Sequence, residues 1–160
     1  MDNALREMIR TFGLVERVMQ PYFARFGISG SQWGVLRNLH RAEQEGAPSL
    51  RLSELSKRLL IRPPSVTGLI DRLERAELVT RSAAPADLRG RCIELTSSGR
   101  LLVRRILEKH DDQMSLVLEG LDAADQEELR RLLSLWSRHL QGLLKKGDTP
   151  DRSRKLVGGT

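Results

Sequence analysis

The side chains with chemistry to offer are short hydroxyls and arginines, gathered between Arg62 and Thr96. That stretch reads RPPSVTGLIDRLERAELVTRSAAPADLRGRCIELT. Val66, Leu69, Ile70 and Leu73 recur at steps of three and four, which predicts one apolar helical face. The opposite face carries Ser65, Thr67, Gly68, Asp71, Arg72 and Arg75. Ser and Thr hydroxyls can bond base edges or phosphates, a Thr methyl can meet a thymine methyl, and short side chains permit close approach to a groove floor. Arg72, about one turn further along, is placed to reach a phosphate or to pair with Asp87. Leu78-Val79 then turns into a short strand. A loop of Ala, Pro, Asp and Gly follows, and Arg91 to Leu95 alternates as a second strand. A polar-faced helix followed by a basic-tipped hairpin is the pattern of a winged helix-turn-helix, with one helix in the DNA major groove and the wing beside it. Lys57, Arg58 and Arg62 precede that helix as candidate phosphate contacts, which position without specifying.

Other chemistries find little support. No Ser-His-Asp set, glycine-rich phosphate loop or Cys-x-x-Cys is visible, so an enzyme is not expected. His40, His110 and His139 stand far apart, and Asp111 and Asp112 beside His110 point in different directions on a helix. Neither a metal site nor a cofactor is expected. The single cysteine, Cys92, excludes an intrachain disulfide. Alternation puts it opposite Ile93 and Leu95, where partial exposure is expected. An inert small residue is the default reading, ahead of a thiol switch.

The chain has 160 residues, 39% hydrophobic and 30% charged, with a net charge of +6. Residues 50–105 hold twelve Lys and Arg against six Asp and Glu, and the rest of the chain holds fifteen of each. The whole excess therefore lies in and around the proposed winged module, which favours a polyanionic partner. No apolar run approaches the roughly 18–20 residues of a membrane span, and no signal peptide is visible, so a cytoplasmic protein is expected.

Elements follow from spacing and capping residues. Residues 3–26 read as a long helix, with Leu5, Met8, Ile9, Phe12, Val15, Met19, Tyr22, Phe23 and Phe26 on its stripe. Pro21 is expected to bend or end it, and Gly27 to stop it. Ser29 to Ser31 cap a second helix to about Gln44, with Trp33, Leu36, Leu39 and His40 inward. Leu50-Arg51-Leu52 is a candidate third strand. Ser53 is expected to cap a third helix through Leu60. Thr96 caps a fifth helix, 97 to about 119, with Leu102, Ile106, Leu107, Met114, Val117 and Leu118 on its apolar side. Asp122 caps a sixth, with Leu129, Leu132, Leu133, Trp136, Leu140, Leu143 and Leu144 as its stripe. Residues 147–160 lose periodicity and are expected to be a disordered tail.

The fold class expected is mainly α with a small β wing: a winged helix-turn-helix plus an N- and C-terminal helical dimerisation region. Residues 31–117 would form the DNA-binding region, with the wing at about 79–95. Residues 1–30 and 118–146 would form the dimerisation region, because a winged domain of about 65 residues cannot cover stripes this broad and a second copy can. Two copies also present two reading helices to half-sites about one helical turn apart. Tyr22, Phe26, Trp33, Arg37 and His40 fall near the junction of the two regions. Aromatics with one cation suit a small aromatic acid, and ordinary packing is the plainer alternative.

Over residues 5–145 the chain resembles the MarR (multiple antibiotic resistance regulator) family. The matching pieces are Ser31-Gln32-Trp33-Gly34-Val35-Leu36, Leu52-Ser53-Glu54-Leu55-Ser56 and Pro64-Ser65-Val66-Thr67-Gly68-Leu69-Ile70-Asp71-Arg72-Leu73-Glu74. Asp87-Leu88-Arg89-Gly90-Arg91 and Leu95-Thr96-Ser97-Ser98-Gly99-Arg100 follow. The resemblance implies a homodimer that controls transcription at a pseudo-palindromic operator, most often as a repressor released by a small aromatic effector. It also implies that Asp87 orients Arg89 and that Arg89 enters the minor groove, with Arg91 the second candidate for that place. Two positions depart from the pattern. Arg62 stands where a small capping residue is more usual. The cysteine that redox-sensing members carry near the start of the first helix is missing. The alternatives are an architectural DNA binder with no effector, or a winged helix used as a protein-interaction module.

Overall fold

The computed structural model describes the backbone of residues 3–84 and 87–145, and the side chains of these residues except 83–90. In chain order the elements are α1 (Asn3–Ala24), α2 (Gly30–Gln44), β1 (Leu50–Arg51), α3 (Leu52–Leu59), α4 (Pro63–Arg75), β2 (Val79–Ala84), β3 (Asp87–Leu95), α5 (Ser97–Leu118) and α6 (Ala123–Lys145). The fold is therefore mainly α with a small antiparallel sheet, ordered β1-β3-β2. Two compact units divide the chain, one ending at Val117 and the other beginning at Leu118. The expected tail, 147–160, lies outside the described residues.

Helix starts follow local hydrogen bonding. The Ser29 hydroxyl accepts from Gln32 N–H at 3.1 Å, and the Gln32 side chain accepts from Ser29 N–H at 2.8 Å. This reciprocal pair satisfies two donors that the start of α2 would otherwise leave open. Thr96 caps α5 by accepting from Gly99 N–H at 3.0 Å, and Asp122 caps α6 by accepting from Asp125 N–H at 2.8 Å. Ser53 does not cap α3. The Glu54 carboxylate accepts from Arg51 N–H at 2.7 Å, so the helix starts at Leu52, and β1 is correspondingly only Leu50–Arg51. Pro21 does not end α1, which runs through it to Ala24. Gly27 follows at φ +71°, a left-handed conformation that glycine adopts without a Cβ penalty.

The first unit is built on a core from every one of its elements. Val35, Leu36, Leu39 and Ala42 of α2, Leu55 of α3, Val66, Ile70 and Leu73 of α4, Ile93 and Leu95 of β3, and Val103 and Ile106 of α5 are all buried. Met19, Tyr22 and Phe23 bring the C-terminal half of α1 into the same core. A buried leucine or isoleucine contributes about 1.5–3 kcal/mol, so this layer is what fixes the orientation of α4. Tyr22 adds a buried hydrogen bond, its hydroxyl donating to Ile106 C=O at 3.0 Å. Arg100 of α5 reaches Glu43 of α2 at 2.8 Å. Cys92 differs from expectation: it is buried, although it sits on the face opposite Ile93 and Leu95. Strand alternation assigns a face but does not say whether that face is covered.

The helices at the two ends are a different case. On α1, Leu5, Ile9, Phe12, Leu14, Val15 and Val18 are exposed. On α6 no residue is buried, and Leu129, Leu132, Leu133, Leu135, Leu140 and Leu144 are exposed.

Candidate nucleic-acid interface

The turn between α3 and α4 is held by side chain and backbone together. Ser56, buried in α3, donates its hydroxyl to Ile61 C=O at 2.5 Å, and Ile61 N–H donates back to Ser56 C=O. Leu60 takes a left-handed conformation, φ 56°, to end α3, and its side chain is turned out to solvent. Pro63 occupies the first turn of α4, where a missing N–H breaks no helical bond. The carbonyl of Arg62 accepts from Ser65 and Val66, so Arg62 serves as the cap through its backbone and its side chain caps nothing.

With Val66, Leu69, Ile70 and Leu73 fixed inward, the outer face of α4 follows from helical geometry. Ser65 and Arg72 are exposed, and Thr67 and Gly68 are half-buried. The Thr67 hydroxyl donates to Pro63 C=O at 3.1 Å, which leaves its oxygen free to accept. A Cβ built on Gly68 would meet only the Arg72 guanidinium, at 3.9 Å, so the surface there is low and the arginine lies over it. Arg72 makes no ion pair among the described residues.

The other expected contacts are distributed unevenly. Lys57 and Arg62 are exposed. Arg58 is instead engaged by Glu45 at 3.1 Å. Arg91 is exposed on β3 opposite Ala83. The side chains of Asp87 and Arg89 lie outside the described residues, so their pairing is not at issue in this geometry. Their backbone is strand and not the loop expected from Ala, Pro, Asp and Gly. Ala84 pairs with Asp87 while Ala83 pairs with Arg91, so the register shifts between Ala83 and Ala84 and Leu88, Arg89 and Gly90 face no described partner on β2.

Arg81 was not singled out from the sequence. Its guanidinium binds Asp71 Oδ1 at 2.5 Å and also Glu74 Oε2, tying β2 to α4. The hydrogen bond to Asp71 and the charge of Glu74 hold its pKa above the usual arginine value, against burial. The spacing of Asp71 and Glu74, one turn apart, was the available signal for a shared cation.

Of the residues proposed around an aromatic ligand, Tyr22 packs edge-on to Phe26 at 5.4 Å, and Arg37 lies 5.7 Å from the Trp33 ring centre. His40 makes none of these ring contacts and is half-buried. His110 takes its place, 5.6 Å from Trp33 and 6.3 Å from Tyr22. Its Nδ1 is buried with no hydrogen-bond partner among the described residues. Burial, then the Arg37 charge, push its pKa below the usual histidine value, against Asp111. Burial raises the Tyr22 pKa, partly offset by Arg25. Among the described residues, no three His, Cys, Asp or Glu side chains are grouped to hold a metal ion, and no helix is long and apolar enough to cross a membrane.

Two helices joined by a stapled turn, the second polar outward and followed by a two-stranded hairpin, define the winged helix-turn-helix class. Residues 26–90 match the model of the MarR family. Over 119 residues the chain is 30% identical to the HTH-type transcriptional repressor YetL of Bacillus subtilis (strain 168), covering 74% of this chain and 70% of that relative. It is 29% identical over 128 residues to the HTH-type transcriptional regulator PecS of Dickeya dadantii (strain 3937), covering 79% and 75%. Among solved structures, the MepR–DNA complex of S. aureus superposes with a TM-score of 0.73 at 25% identity, over 88% of this chain and 98% of that one. The chain belongs to the MarR family.

Proposed function

We propose that this chain is a sequence-specific, dimeric DNA-binding transcription regulator, acting as a repressor released by a small ligand. One observation carries the reading: the inner face of α4 is locked into the core, while Ser65, Thr67, Gly68 and Arg72 stand on its outer face beside a wing. The names of the relatives, a repressor and a regulator, agree with it, as does the neighbour seen with DNA. Ser65, Thr67 and Gly68 approach base edges; Arg72, Lys57 and Arg62 meet phosphates; Arg89, oriented by Asp87, enters the minor groove, with Arg91 beside it.

The uncovered stripes of α1 and α6 support dimerisation, since exposed apolar surface of this extent normally meets a partner. A second copy places two α4 helices on one duplex. For the ligand, the cluster of Tyr22, Trp33 and His110 with Arg37 alongside has the chemistry to suit an aromatic acid, which would have to part rings that are packed in the core.

The test is a fluorescence-anisotropy titration with a duplex that the protein itself selects from a randomised library. Contacts to about 6–10 phosphates lower affinity by roughly three to five decades between 50 and 200 mM salt. Arg89→Ala is expected to bind at least about tenfold more weakly. Salt-independent association, or no selection at all, would overturn the reading.

A further inference from the structure

The polar face of α4 has an electrostatic problem that its own residues do not solve. Asp71 and Glu74 stand one turn apart on it, and with Arg72 and Arg75 they bring its net charge to zero. Two carboxylates at that spacing repel each other and would repel a phosphate backbone.

The remedy comes from a different element. Arg81, on β2, meets both carboxylates with its two terminal nitrogens. It is the more sheltered partner: its side chain is 18% exposed, against 48% for Asp71 and 40% for Glu74. A planar fork suits two acceptors at once in a way that an ammonium does not. Arg75, next along, spends its Nε–H on the Asp71 carbonyl and not on a carboxylate. Arg72 has no carboxylate among the described residues.

We propose that Arg81 is a positioning residue for DNA binding: it occupies Asp71 and Glu74, so that α4 presents Arg72 and Arg75 to phosphate with no competing negative charge. This rests on the DNA-binding reading above. Arg81 itself touches no phosphate in this scheme; it acts through the carboxylates that it neutralises.

The experiment compares the full-length wild type with three variants on the duplex that the wild type selects. Arg81→Gln is expected to bind at least about tenfold more weakly, with unchanged helical content by circular dichroism. Adding Asp71→Asn and Glu74→Gln to Arg81→Gln is expected to bring affinity back to within about threefold of wild type, because the charges that needed neutralising are gone. Asp71→Asn with Glu74→Gln alone, which keeps Arg81, is expected to bind at least as tightly as wild type. Should Arg81→Gln lose its helical content, this pair decides the matter. Wild-type affinity in Arg81→Gln, continued weakness in the triple variant, or a tenfold loss in the carboxylate pair would each overturn the proposal. A wild type that selects no duplex would instead remove the DNA-binding reading on which it stands.

Discussion

Gly99 lies directly against the carbonyl of Leu78: a Cβ added to Gly99 would sit 2.1 Å from that oxygen. The contact joins the first turn of α5 to the exit of α4. Thr96 reinforces it, since its hydroxyl donates to Glu77 C=O at 2.6 Å and its N–H to Leu78 C=O at 3.1 Å. Backbone cannot yield as a side-chain tip can. Gly99→Ala is therefore expected to cost about 2–3 kcal/mol, a fall in Tm of roughly 5–10 °C. Calorimetry checks it, and an unchanged Tm would show that α5 can retreat freely.

His110 makes stability depend on acidity. Its folded pKa is lowered by burial and by Arg37, so below about pH 6.5 the unfolded chain takes up the proton more readily than the folded one. Stability is then lost as pH falls through the folded value. Between about pH 7 and pH 5, the wild type should lose more Tm than His110→Phe, which keeps a ring beside Tyr22 and Trp33 but has no proton to gain. Parallel curves would contradict this.

On the proposed dimeric reading, the α6 stripe carries the contact between copies. Leu133 and Leu140 lie two turns apart and are 46% and 43% exposed. Each leucine buried by a second copy contributes about 1.5–3 kcal/mol. Replacing both by glutamate should weaken self-association at least about a hundredfold, read by analytical ultracentrifugation, while the core of the first unit remains folded. A variant dimerising as tightly as wild type would place the interface elsewhere.

Some of this was written locally in the chain, and some was not. Ser29, Thr96 and Asp122 announce helix starts because a cap needs only neighbours three residues on. The inner face of α4 was equally plain, since four apolar residues at helical spacing leave one arrangement. The start of α3 was misplaced because the capping group was the Glu54 carboxylate and not the nearer Ser53 hydroxyl. Leu60 gave no warning of its left-handed backbone, a conformation that glycine usually marks. The ion pairs of Arg81 and the place of His110 beside the aromatic rings were missed for a different reason: the partners are 7 and 10 residues away for the first, and on other helices for the second. Spacing says which residues share a face, and only packing says what that face meets.

The most direct test of the central claim is a hydroxyl-radical footprint of the protein on its selected duplex. Two α4 helices on one duplex should protect two patches related by a two-fold axis, with centres about one helical turn, roughly 34 Å, apart. A single unsymmetrical patch, or uniform protection along the duplex, would contradict the account.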